Sequence, residues 1–143
     1  MSKKLTEHFS YAEMTVSGWA SSRGIDNTPS DKEYANLLVA AKGMENVRSI
    51  LGDKPIRINS AYRNPTVNKG VGGSKTSDHM NGYAVDFVCP KFGTPFEICK
   101  KIARSGLKFD QLIMENTWVH ISFSPKDRNQ ILTKTSTGFR IGL

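Results

Sequence analysis

Apolar positions recur along this chain at two different periods. From Leu37 onward, Leu37, Leu38, Ala41, Met44, Val47, Ile50 and Leu51 return at helical spacing. Ser30-x-x-Glu33 ahead of them is a capping box, and Gly52 and Pro55 lie beyond them, so the pattern predicts the main helix over 31–51. A similar box, Ser10-x-x-Glu13, opens a short helix within LTEHFSYAEMTVSGWASSRGIDNTP. That stretch then loosens into Gly, Ser, Asn and Pro and reads as a long surface connection. Phe9 and Trp19 are expected to pin this arm, about residues 1–30, onto the domain.

After the helix the period drops towards two. PIRINSAYR is rich in β-branched and aromatic residues and reads as a strand ending at Arg63-Asn64-Pro65. A loop rich in Gly and Lys, NKGVGGSKTSDHMNG, leads to a second strand, YAVDFVC. Thr94-Pro95-Phe96-Glu97 supplies an N-cap, a proline at the first helical position and an acid to close the box, so PFEICKKIARS is a helix ending at Gly106. FDQLIMENTWVHISF reads as two strands around a tight Asn116-Thr117 turn. The tail, about 127–143, ends in TKTSTGFRIGL, a loose end or an accessory strand. There is no internal repeat, and the order of elements is that of one α+β domain over 1–143.

Composition narrows the class. A chain of 143 residues with 38% hydrophobic and 23% charged residues is long enough to bury a core without staples and too apolar to be disordered. No apolar run approaches the roughly 18 residues that a membrane span needs. Met-Ser-Lys-Lys-Leu-Thr-Glu-His lacks an apolar segment after its lysines, so no secretory leader is expected. Cys89 closes an apolar strand and Cys99 lies on the apolar side of a helix; both read as small core residues. The net charge of +7 favours anionic polymers such as nucleic acid, teichoic acid or a phospholipid surface, or serves solubility alone, since no block of like charge concentrates it.

Candidate chemistry gathers in SDHMNGYAVDF, residues 77–87. A strand entering a core sheds its charges, because an unpaired buried carboxylate costs several kcal/mol or stays protonated. Asp86 therefore needs a compensating partner. Alternation puts Ala84, Asp86 and Val88 on one face, with His79 just before the Gly82 turn. If Asn116-Thr117 is a two-residue turn, Glu115 faces Trp118 and Ile113 faces His120, so Glu115, Trp118 and His120 share a face. His79, Asp86 and His120 can then converge as two imidazoles and a carboxylate, an open zinc site with its fourth position left to water. Glu115 beside it can take a proton from that water and pass it to a leaving amine. The plainer readings are a hydrogen-bonded histidine, an Asp86 that accepts backbone N–H groups, and a solvated Glu115. His8, alone near the terminus, is assigned to the surface.

Ser77-Asp78-His79-Met80-Asn81-Gly82-Tyr83-Ala84-Val85-Asp86 resembles the S-x-H-x-x-G-x-A-x-D motif of the zinc D-Ala-D-Ala carboxypeptidase family. These murein peptidases share a fold with lysostaphin-type peptidases and the Hedgehog domain. INSAYRNPTVN resembles the family's strand-plus-arginine segment, and FDQLIMENTWVHISF its closing W-x-H strand. The pattern from residue 5 to about 126 is most similar to the small members encoded by bacteriophages and prophages. The resemblance implies a small antiparallel sheet packed with helices, zinc (Zn2+) as cofactor, and His79, Asp86 and His120 as its ligands. It also implies that Arg63 binds a substrate carboxylate or carbonyl, against a surface arginine or structural ion pair as the alternative. Ser77 orients His79 or the substrate, or makes only a loop hydrogen bond. Trp118 supports the site as a packed wall, with direct contact to substrate as the alternative. In many relatives the catalytic acid stands three residues before the last histidine; here that position is Thr117, which cannot act as a base. Glu115 resembles the acid of the phage-type subgroup, with Asp110 or Asp78 as substitutes if the turn is built differently.

The resulting expectation is a zinc metallopeptidase, D-Ala-D-Ala carboxypeptidase or murein endopeptidase, that hydrolyses a peptide bond in peptidoglycan stem peptides or cross-links. A phage-type lytic role fits. The protein would be a monomer, made in the cytoplasm of a bacterial host and acting on the wall after release or as part of a virion. The rival is a non-catalytic, zinc-stabilised peptidoglycan-binding module. A nucleic-acid binder has the charge but lacks basic residues interleaved with aromatics on one element, and it leaves His79 and Asp86 unexplained.

Overall fold

The computed structural model describes residues 3–143. Its frame is a six-stranded sheet with strand order β1-β2-β4-β3-β5-β6. The strands are β1 (Arg57–Ser60), β2 (Ala84–Val88), β3 (Gln111–Met114), β4 (Val119–Ser122), β5 (Gln130–Thr135) and β6 (Gly138–Ile141). The helices are α1 (Tyr11–Thr15), α2 (Gly18–Ser21), α3 (Asp31–Ile50), α4 (Pro65–Gly70) and α5 (Pro95–Ala103). All three expected capping boxes form, at Ser10/Glu13, Ser30/Glu33 and Thr94/Glu97, each satisfying two N–H groups that a helix start leaves open.

One face of the sheet is covered by helices. Val85 and Phe87 of β2, Leu112 of β3, and Val119 and Ile121 of β4 all point to it and are fully buried. They meet Leu37, Met44 and Val47 of α3 and Ile98, Cys99 and Ile102 of α5 in one core. Each such aliphatic or aromatic side chain contributes about 1.5–3 kcal/mol on leaving water. Cys89 and Cys99 are free thiols inside this core, and burial pushes the Cys99 thiol up to about 12, which makes it inert. Phe9 joins the same core, and Trp19 lies against Gly70 of α4, so both pin the N-terminal arm as expected.

Three local features differ from the sequence reading. Asn64 caps a short helix, α4, where the expected strand end ran directly into a loop; Asn-Pro at N-cap and N1 is a start signal that the following glycines obscured. The strand β1 stops at Ser60, where its register with β2 shifts. The C-terminal segment takes the accessory-strand alternative as a hairpin, β5–β6, but β5 runs parallel to β3, so the sheet is mixed where an antiparallel one was expected.

The parallel pair exists because β4 ends beside the start of β3, and residues 123–129 carry the chain past that start to its other edge. Asp110, fully buried, anchors this crossing. It accepts from Arg128 Nε at 2.7 Å, Arg128 Nη2 at 2.9 Å and the Arg128 backbone N–H at 3.1 Å. The side-chain hydrogen bonds from Arg128 hold the Asp110 carboxyl below its ordinary range. Arg128→Ala therefore costs about 2 kcal/mol at neutral pH, since it strands a buried carboxylate whose lost partner was itself partly solvated. Asp110 is depressed in the folded state, so its contribution is present above the unfolded carboxylate value and lost as pH falls through the folded one. Urea titrations of wild type and variant should differ at pH 7 and converge towards pH 3.

Candidate active site

The face of the sheet away from the helices carries the polar groups. Cross-strand register sets them in two rows. Asp86 pairs with His120, His120 with Ile113, and Ile113 with Leu132. In the next row Glu115 donates its backbone N–H to Trp118 at 3.0 Å, so the Asn116-Thr117 turn is as short as expected. Glu115 and His120 are thus diagonal neighbours on one face.

His79 arrives from a different element. Residues Asp78–Asn81 form one turn of 3₁₀ helix capped by Ser77, whose hydroxyl accepts the His79 N–H at 3.2 Å. Ser77 thereby orients the His79 backbone through a loop hydrogen bond. Gly82 closes the turn at φ 86°, and a Cβ there would lie 2.8 Å from the Glu33 carbonyl oxygen, so only glycine lets the turn dock on α3. The buried imidazole of His79 projects onto Asp86.

The three candidate ligands converge. Asp86 Oδ1 lies 3.2 Å from His79 Nε2 and 2.9 Å from His120 Nδ1, and the rings sit edge to face with centroids 5.1 Å apart. One ligand atom from each residue lies within 4.8 Å of the others, a group that can hold a metal ion. The hydrogen bonding tests the fit. His79 Nδ1 is 2.7 Å from the Ala61 carbonyl oxygen, which only accepts, so Nδ1 carries the hydrogen. A neutral His79 then turns the lone pair of Nε2 towards a carboxylate oxygen 3.2 Å away. Two acceptors facing each other require a cation between or beside them. Burial lowers the His79 pKa, offset only in part by the Asp86 charge, and so opposes a proton as that cation. Burial also works against ionised Asp86, but a cation at His79 Nε2, together with hydrogen bonds from the two imidazoles when that cation is a proton, outweighs it and holds the Asp86 pKa far below the carboxylate range. Two imidazoles, one with its outer N–H fixed by a carbonyl, and a carboxylate form a donor set suited to a divalent metal.

Around this group stand the other expected residues. Glu115 is 13% exposed at its side chain, and burial together with the Asp86 charge raises its pKa above the ordinary glutamate value. Its Oε2 accepts from Trp118 Nε1 at 3.1 Å, and its Oε1 lies 3.9 Å from Lys134 Nζ. The Trp118 indole N–H is thus spent on holding Glu115. Arg63 is half-buried, its backbone N–H donates to the His79 carbonyl at 3.1 Å, and its Nε has no protein partner. Desolvation lowers its pKa while Asp86 and Glu115 both support its charge. It forms no ion pair among the described residues, so the structural-pair alternative has no support. The substitute acids are engaged elsewhere: Asp110 with Arg128, and Asp78 as acceptor of the Ser122 hydroxyl at 2.7 Å. Ala61 and Lys134 were not foreseen. The first acts through its carbonyl, which no side-chain pattern reveals, and the second depends on the parallel placement of β5.

Residues 7–122 match the peptidase M15 family. The chain is also similar to the zinc D-Ala-D-Ala carboxypeptidase of Streptomyces albus G, 37% identical over 81 residues, which is 55% of this chain and 30% of that relative.

Proposed function

This chain belongs to the peptidase M15 family, and we propose that it is a zinc-dependent peptidase that hydrolyses a peptide bond in the stem peptides or cross-links of bacterial peptidoglycan. The observation that carries this reading is the convergence of His79, Asp86 and His120 beside Glu115 on the open face of the sheet. His79, Asp86 and His120 would hold the metal. Zinc held there would supply Lewis acidity for polarising a substrate carbonyl and acidifying water. Glu115 accepts the proton of the attacking water and delivers it to the leaving amine, with Trp118 fixing its carboxylate. Arg63, whose guanidinium forms no ion pair among the described residues and is supported by the charges of Asp86 and Glu115, aligns a substrate carboxylate or carbonyl through its planar donor fork. Ser77 keeps His79 in place.

The name of the Streptomyces relative supports a bond next to D-alanine, and the net positive charge suits a substrate embedded in an anionic wall. A lytic role on a bacterial wall, in a phage setting, is the biological form this reading takes. No helix of the described residues is long and apolar enough to cross a membrane. The test is release of new amino groups from purified peptidoglycan by zinc-loaded protein. Their appearance, and their absence with chelator-stripped protein, is the expected result. Stoichiometric zinc with no amino groups released from any wall type would replace the enzyme by a peptidoglycan-binding module.

A further inference from the structure

Both rows of the open face continue past the site onto the C-terminal hairpin. Leu132 of β5 pairs with Ile113 on one side and Ile141 of β6 on the other, so His120, Ile113, Leu132 and Ile141 lie in one line. In the second line Lys134 stands beside Glu115 and pairs with Phe139. Phe139 is 59% and Ile141 89% exposed, the latter more than any other large apolar side chain among the described residues, yet both stand on a short strand. Lys134 Nζ lies between Glu115 and the Phe139 ring, 3.9 Å from the one and 6.0 Å from the centroid of the other. The hairpin lies beyond residues 7–122, the part that matches the family.

We propose that Lys134, Phe139 and Ile141 form a substrate ledge that binds the part of a peptide remote from the scissile bond. The proposal rests on the peptidase reading. The ledge reaches three strand spacings of about 4.8 Å from His120, roughly 14 Å, the span of about four extended residues. Its chemistry selects an extended chain with small apolar side chains for Phe139 and Ile141 and a carboxylate for Lys134, whose ammonium is half-exposed. Continuity with the site favours substrate over a second copy of the chain. A two-fold contact through this face would bring the positive charge of Lys134 towards its own image. Anchoring by Asp110 and Arg128 holds the ledge in register with the site.

Two probes test it: an acylated tripeptide ending in D-Ala-D-Ala, and a cross-linked dimer of stem peptides. Phe139→Ser and Ile141→Ser are measured separately and together, with zinc content and melting temperature as controls for folding. The ratio of kcat/KM for the dimer to that for the tripeptide should fall about tenfold in the double variant. In zinc-free protein the Kd for the dimer should rise by about the same factor. An equal fall for both probes, or none, overturns the ledge while leaving the peptidase intact. A wild-type dimer in solution that Ile141→Ser dissociates overturns it in favour of self-association. Wild-type protein that holds zinc and cleaves neither probe overturns the peptidase reading and the ledge with it.

Discussion

Glu115→Gln lowers kcat by about a thousandfold, roughly 4 kcal/mol of barrier, while zinc content stays at the wild-type level. Glutamine keeps the shape of the side chain and an acceptor for the Trp118 indole, so only the proton-accepting role is lost. The pH profile distinguishes this from a general disturbance. Glu115 works only when ionised, and burial with the Asp86 charge raises its pKa, so wild-type kcat/KM falls as pH drops through a value above that of an ordinary glutamate. The residual activity of the variant should lack that limb. Stability moves the other way. The folded protein holds the Glu115 proton to higher pH than the unfolded chain does, so wild-type stability falls as pH rises through the interval between the two values. The variant escapes this loss and should melt no lower than wild type at pH 7. A variant with full activity would remove Glu115 from the mechanism.

His120→Ala abolishes stoichiometric zinc binding and with it peptide hydrolysis. Three donors with one open position are the fewest that a catalytic zinc site uses, and two leave the ion weakly held. The metal-free variant should also lose about 1–2 kcal/mol, because Asp86 forfeits the 2.9 Å hydrogen bond from Nδ1 and keeps His79 alone. Metal analysis after dialysis, with urea titrations in chelator, separates the two effects. Zinc added to wild type raises its stability in proportion to the logarithm of free metal, and the variant should show no such rise. Retention of stoichiometric zinc by His120→Ala would mean that the ion is held elsewhere.

The same pair of experiments divides enzyme from binding module. A module that uses zinc for stability alone would lose its fold support in His120→Ala but show no phenotype in Glu115→Gln. An enzyme loses function in both.

Local chemistry was legible from the sequence itself. Helix starts at Ser10, Ser30 and Thr94 follow from side chains that satisfy N–H groups three residues on, and the turn at Asn116-Thr117 follows from the spacing of two apolar runs. That turn, with strict alternation, was enough to place Glu115, Trp118 and His120 on one face. A charge at Asp86 in an otherwise apolar strand calls for a compensating partner on local grounds alone. What the sequence left open depends on contacts between segments far apart along the chain. The fixing of His79 Nδ1 by the Ala61 carbonyl, the commitment of Asp78 and Asp110 to other partners, and the passage of residues 123–129 past the start of β3 involve backbone groups or pairings with no periodic signature. The segment after residue 127 alternates too weakly to declare its face, and only pairing with β3 puts Lys134 beside Glu115. The sequence determined which groups can do the chemistry, because capping, alternation and turns act over a few residues. Tertiary structure decided which of them meet, because that is set by register and packing across the whole sheet.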